Sequence, residues 1–208
     1  MDDDIPLFAD KTDDTKTAIL KATFTALAEH GYADLTIDRI AQHFPKSSGL
    51  VFYHYDGKDD VLLDLLDYLL ERFVQLGIPV ATDGSSEARL RSLFEQVLPR
   101  GDEHQLREFE IVLTELRMRA AQDDAFQASL NQSQNLFREA IREIIEEGIE
   151  SGEFKQTDPD QVADFLLTLV SGEIFERVTT GASRPIWAEL DEYIEHRLLA
   201  HRFDDSSA

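Results

Sequence analysis

Apolar residues recur every three to four positions along most of this chain, and no stretch shows the strict alternation of a half-buried strand. A first helix is predicted from about Asp14 to His30, with Ala18, Ile19, Ala22, Ala26 and Leu27 on one face and Gly31 as its stop. A short helix follows, capped by Thr36, with Ile37, Ile40 and Ala41 inward and Pro45 marking its end. Another short helix starts at Ser47 or Ser48 and reaches about His54. Asp56 then caps a longer helix whose apolar set is Val61, Leu62, Leu65, Leu66, Leu69, Leu70 and Phe73. Gly77 and Pro79 end it, and residues 78–86 read as a loop.

Beyond the loop, a helix starts at Ser85 or Ser86, carries Leu90, Leu93, Phe94, Val97 and Leu98, and stops at Pro99 and Gly101. The next, over about 103–121, presents Leu106, Phe109, Val112, Leu113 and Leu116. A long one from about Asp123 to Ser151 presents Phe126, Leu130, Phe137, Ile141, Ile144, Ile145 and Ile149. Asp158-Pro159, a cap followed by proline at the first helical position, opens a helix to about Gly181, and Pro185 opens the last, to about Phe203. The expectation is an all-α protein of about nine helices in two lobes: 13–60, continuing into a connecting helix 57–77, and 78–208.

Charge changes this picture more than composition does. An apolar fraction of 42% is ordinary for a globular chain, yet 20 Lys plus Arg face 42 Asp plus Glu, a net charge of −22. No apolar run is long enough to span a membrane, and Asp2, Asp3 and Asp4 replace the basic start of a signal peptide. A cytoplasmic protein is expected. The absence of cysteine excludes disulfides and thiolate chemistry. Of the six lysines, Lys11, Lys16, Lys21, Lys46 and Lys58 precede residue 59, and only Lys155 follows. Dense carboxylate with few lysines suits a protein of concentrated salt, where repulsion is screened within about 3 Å at 1 M. An acidic surface for a cationic partner is the other reading.

The segment from Thr36 to Asp60 carries the most information. Two helices of about eight residues joined by a tight turn bury little alone and match a helix-turn-helix, whose second helix enters a DNA major groove. Between residues 36 and 58, Arg39, Lys46 and Lys58 outnumber Asp38 and Asp56, so the segment is locally cationic in a polyanion. Ser47, Ser48 and Gly49 let a helix start approach a phosphate, and Tyr53, His54 and Lys58 offer contacts to phosphates or base edges. From spacing alone, the aromatics serve equally as the core of a three-helix unit, the role expected for Phe52 and Tyr55.

Residues 15–62 resemble the DNA-binding domain of the TetR family of transcriptional regulators. The resemblance rests on Gly31, Tyr32, Thr36, Ile37, Ile40, Ala41, Ser47, Gly49, the tetrad Phe52-Tyr53-His54-Tyr55, and Lys58. A looser likeness to the family's last helices lies in residues 146–175. Two positions depart from the pattern: Pro45-Lys46 replace a Gly-Val turn, and Phe52 stands where tyrosine is common.

The resemblance implies a homodimeric, ligand-responsive repressor reading an inverted repeat in double-stranded DNA. The contacting set would be Thr36, Lys46, Ser47, Ser48, Gly49, Leu50, Tyr53, His54 and Lys58. The last two helices would pair with their twofold mates. Phe165, Leu166, Leu169, Val170, Ile174, Val178, Leu190, Ile194 and Leu198 give stripes broad enough for that, or for an intrachain core. The middle helices would hold a small apolar or amphipathic effector, with Phe94, Phe109, Met118, Phe137 and Trp187 as lining and Glu115, Asn131 and Gln134 as polar contacts. A sensor or adaptor that keeps this fold without an operator is the rival.

Catalysis finds little support. The six histidines show no HExxH spacing, and neither a glycine-rich phosphate loop nor a G-x-S-x-G elbow is present. Glu192 and His196 share a helix face, as a metal pair or an ordinary surface pair. No cofactor, resident metal or catalytic residue is expected.

Overall fold

A computed structural model describes Phe8 and residues 14–77, 84–98, 104–181 and 186–200. Its helices are α1 (Thr15–Asp34), α2 (Ile37–His43), α3 (Ser48–His54), α4 (Lys58–Gly77), α5 (Ser86–Val97), α6 (His104–Ala120), α7 (Asp124–Glu150), α8 (Pro159–Thr180) and α9 (Trp187–Tyr193), the last continuing as a π-helical turn, Ile194–Leu198. The expected features at Pro79, Pro99, Gly101, Pro185 and Phe203, and the Leu106 side chain, lie outside the described residues. Among those described, no helix is long and apolar enough to cross a membrane.

Local side chains start the helices. Asp14 accepts the Thr17 N–H, Thr36 that of Arg39, Ser85 that of Ala88, and Asp158 those of Asp160 and Gln161. Asp56 is arranged differently from the expectation: its N–H donates to the Asp60 carboxylate at 3.2 Å, and Val61 N–H donates to the Gly57 carbonyl. Asp60 thus reaches back to the residues before α4, as the acidic member of a capping box does. Gly31 breaks α1 at φ 69°, a left-handed value that favours glycine.

The chain divides into two compact units whose boundaries fall inside α4 and α7: residues 1–74 with 103–133, and 75–102 with 134–208. The packing units therefore group α6 with the N-terminal helices, whereas the sequence division runs at residue 78. In the first unit, Ile19, Leu20, Phe24 and Leu27 of α1 meet Leu62, Leu65, Leu66 and Leu69 of α4 in one core with Phe109, Val112 and Leu116 of α6. Phe8 joins it, its ring 5.1 Å from Tyr68 and 5.8 Å from Phe24.

The second unit buries Leu90, Leu93 and Phe94 of α5, Phe137, Ile141 and Ile145 of α7, and Val162, Ala163 and Leu166 of α8. An isolated antiparallel bridge pairs Phe154 with Leu199; Lys155 N–H donates to Leu198 O at 2.7 Å and Ala200 N–H to Glu153 O at 2.9 Å. The Glu153 carboxylate accepts the N–H groups of Ser86 and Glu87 at the start of α5. The Phe154 ring lies directly on Gly148, where any side chain would overlap it. Arg138 bridges to Asp160 at 2.8 Å and Asp164 at 2.7 Å.

Candidate nucleic-acid interface

Helices α2 and α3 are each seven residues long, too short to persist without tertiary support. That support comes from one side. Ile40, Phe44, Val51 and Tyr55 are buried in the first unit's core, and Leu50 packs partly buried against it. The turn residues Pro45 and Lys46 leave α3 capped by Ser47, whose hydroxyl accepts the Gly49 N–H at 3.3 Å. The Tyr55 hydroxyl donates to Asp64 at 2.5 Å. Burial first, and then this hydrogen bond, push its pKa above the ordinary tyrosine value.

The opposite side of α3 is open. Ser47, Ser48, Gly49 and His54 are exposed, Tyr53 is 82% exposed and Phe52 59%. Two positions correct the sequence reading. Phe52, expected in the core, points outward, because Val51 and Tyr55 take the inward positions one helical turn apart. Leu50, expected at bases, is turned partly inward. The exposed face of α3 is therefore formed by Ser47, Ser48, Gly49, Phe52, Tyr53 and His54.

The two lysines occupy different settings. Lys46 is exposed and donates to the Thr15 hydroxyl at 3.1 Å. Lys58 is half-buried: its Nζ donates to Tyr32 O at 3.1 Å and sits 4.3 Å from the centre of the Tyr32 ring, a cation–π contact. Tyr32 in turn donates its hydroxyl to Asp59 at 2.8 Å and its backbone N–H to Glu115 at 2.8 Å. Burial and then the Asp59 bond raise the Tyr32 pKa. The expected phosphate lysine is thus tied to the chain's own backbone beside the end of α1. Thr36 uses its hydroxyl to cap α2.

The expected effector residues are divided between the two units. Phe109, Glu115, Met118 and Asn131 belong to the first unit, and Phe94, Gln134, Phe137 and Trp187 to the second. Phe94, Phe109 and Phe137 are core residues, Trp187 is half-buried, Asn131 and Gln134 are exposed, and Met118 is 61% exposed. Glu115 accepts the Tyr32 N–H. A cleft of about 390 Å³ in the first unit is lined instead by Lys16, His54, Tyr55, Asp60, Leu63, Asp64 and Asp67, and Lys16 pairs with Asp64 there at 3.0 Å.

The stripe expected to pair with a twofold mate is divided by burial. Leu166, Val170, Leu190, Ile194 and Leu198 are buried within the chain itself. Phe165 remains 46% exposed, and Leu169, Ile174 and Val178 are half-buried. Phe175, 47% exposed, joins them, and Tyr193 lies 4.9 Å from Phe165 ring to ring. Phe175 and Ile174 form an apolar pair between Glu173 and Glu176, and the sequence reading chose only Ile174 of the two.

Comparison with known proteins agrees with this geometry. Residues 19–65 match the family model described as bacterial regulatory proteins, tetR family, and residues 86–198 match that of the BetI-type transcriptional repressor, C-terminal. The chain is 25% identical over 186 residues to the transcriptional repressor AcnR of Corynebacterium glutamicum, covering 89% of this chain and 93% of that one. A crystal structure of a TetR transcription regulator from Haloarcula marismortui superposes with a TM-score of 0.80 at 35% identity, over 89% of this chain and 98% of the other. A transcriptional regulator from Saccharomonospora viridis in complex with choline has the same fold, with a TM-score of 0.78 at 22% identity over 89% and 97%. With an exposed, capped recognition-type helix at one end and family models matched along most of its length, the chain belongs to the TetR family and is a DNA-binding transcriptional regulator.

Proposed function

We propose that the protein is a homodimeric repressor that binds an inverted-repeat operator and is released by a small effector. The observation that carries the DNA-reading part is the outward face of α3, where Tyr53 and Phe52 stand exposed beside Ser47, Ser48 and Gly49 while Val51 and Tyr55 anchor the helix from behind. A large aromatic left in water on a rigid short helix suits stacking or hydrogen bonding to a partner. Lys46 supplies a phosphate contact, and His54 a polar one. Residues 13–60 form the DNA-binding domain, and 78–208 the effector and dimerisation domain. The exposed Phe165 and Phe175, with Leu169, Ile174 and Val178, give the twofold contact.

The effector is small and amphipathic. Choline, bound by a neighbour of the same fold, is the first compound to try. The excess of carboxylates, and the Haloarcula neighbour at 35% identity, support a cytoplasm of concentrated salt as the working environment. The test is to sequence the genomic fragments that the protein retains at molar KCl. A shared inverted repeat supports the reading. Dimer formation without any sequence preference would instead make the chain a sensor without an operator.

A further inference from the structure

Three metal-ligating side chains that sequence spacing leaves unconnected meet where α1 ends beside α2. Glu29 and His30 stand just before the break at Gly31, and His43 is the last residue of α2. Their ligand atoms all lie within 4.8 Å of one another. A Glu29 carboxylate oxygen is 3.3 Å from Nε2 of His43 and 3.9 Å from Nε2 of His30, and the two imidazole centres are 6.4 Å apart. Two donors bonded at about 2.1 Å to one tetrahedral ion stand roughly 3.4 Å apart. The Glu29–His43 pair already has that separation, and His30, within 4.8 Å of both, needs a side-chain shift of at most about 1.4 Å.

We propose that Glu29, His30 and His43 form a binding site for a divalent transition-metal ion of the zinc class. Two imidazoles and one carboxylate are donors of intermediate hardness, suited to Zn(II), Co(II), Ni(II) or Cu(II) rather than to Mg(II) or Ca(II), which take oxygen ligands. Three protein ligands leave a fourth position for water. Both histidines are half-buried and Glu29 is exposed, so an ion reaches the site from solvent. A Glu29 carboxylate oxygen beside Nε2 of His43, 3.3 Å away, already brings these two donors together.

A bound ion joins the turn of α1 before Gly31 to the last turn of α2, immediately before Phe44 and the turn that leads into α3. None of the three ligands lies on the exposed face of α3. The site therefore stands independently of how α3 meets DNA.

The test uses the full-length, untagged chain, stripped with chelator and held at the salt in which it is folded. Titration with Co(II) is expected to give a visible d–d band saturating at one ion per chain, bleached by Zn(II), together with a rise in melting temperature. His43→Ala and His30→Ala should each abolish the band and weaken Zn(II) binding by ~100-fold, the upper end of what even an indirect partner's loss costs a metal site. His43→Gln, which keeps the shape of the position, should do the same with an unchanged far-UV spectrum. His196→Ala removes the other histidine with a carboxylate on its helix face and should bind normally. Absence of the band, binding undiminished in His43→Gln, or binding lost in His196→Ala would each overturn the assignment.

Discussion

The Glu115 carboxylate of α6 accepts the backbone N–H of Tyr32 at 2.8 Å, across 83 residues of sequence. It also lies against Gly31, where a Cβ would stand 3.4 Å from Oε1. The left-handed Gly31 turns the Tyr32 N–H away from the helical ladder, and Glu115 satisfies it. A charged acceptor on a backbone donor contributes about 1.5–3 kcal/mol when shielded, and less at a half-exposed position such as this. Glu115→Ala should therefore lower stability by about 1–2 kcal/mol in urea denaturation. Glu115→Gln, which keeps an acceptor oxygen, should lose less than half of that; equal losses would show that the carbonyl acceptor is irrelevant.

Gly148 and Phe154 form a second tight pair. Gly148→Ala pushes a methyl into the Phe154 ring and should cost about 1–3 kcal/mol despite alanine's better helix propensity. In a Phe154→Ala background the same change should be neutral or stabilising. A double-mutant cycle reads the coupling directly, and additive effects would contradict the packing.

Alkaline stability should report on Tyr55. Its hydroxyl pKa is raised in the folded state, so the fold favours the protonated form. That contribution is fully present below the unfolded tyrosine pKa of about 10 and is lost as pH rises from there toward the folded value. Tyr55→Phe should be less stable at neutral pH by about 1 kcal/mol, through loss of the bond to Asp64. It should also show a shallower decline between pH 9 and 11 in thermal melts (~1 unit either side of 10). A decline as steep as wild type's would remove Tyr55 as its source.

The caps Thr36 and Asp158 were legible in the sequence because each acts within three residues of itself, and the starts at Ser47 and Ser85 to within one residue; Asp56 was not, since Asp60 reaches back to its N–H. The core face of α4 was legible too, since its leucines repeat against Asp and Glu. The run Val51-Phe52-Tyr53-His54-Tyr55 offers no such contrast, so Phe52 was placed inside although only Val51 and Tyr55 are buried. Glu115 at Tyr32, Lys58 over the same ring and His43 beside Glu29 are meetings of separate helices. No periodicity encodes them.

Substitution at Tyr53 should separate recognition from folding. Because it is 82% exposed, Tyr53→Ala should leave stability within about 0.5 kcal/mol of wild type. Operator affinity should fall ~10-fold or more, as expected for loss of a base-edge or stacking contact. Lys46→Ala should weaken specific and random DNA alike, the behaviour of a phosphate contact. A Tyr53→Ala variant that binds like wild type would move the reading face elsewhere.

A chain of net charge −22 is expected to meet DNA through this one face. The most direct test is operator affinity measured from low to molar KCl. Ordinary binding falls steeply with salt because cations on phosphate release counterions. Here the body of the protein repels the duplex, and screening relieves that repulsion. Affinity should stay flat or rise with KCl and be lost with Tyr53→Ala plus Lys46→Ala. A steep conventional fall, or undiminished binding by the double variant, would contradict this expectation.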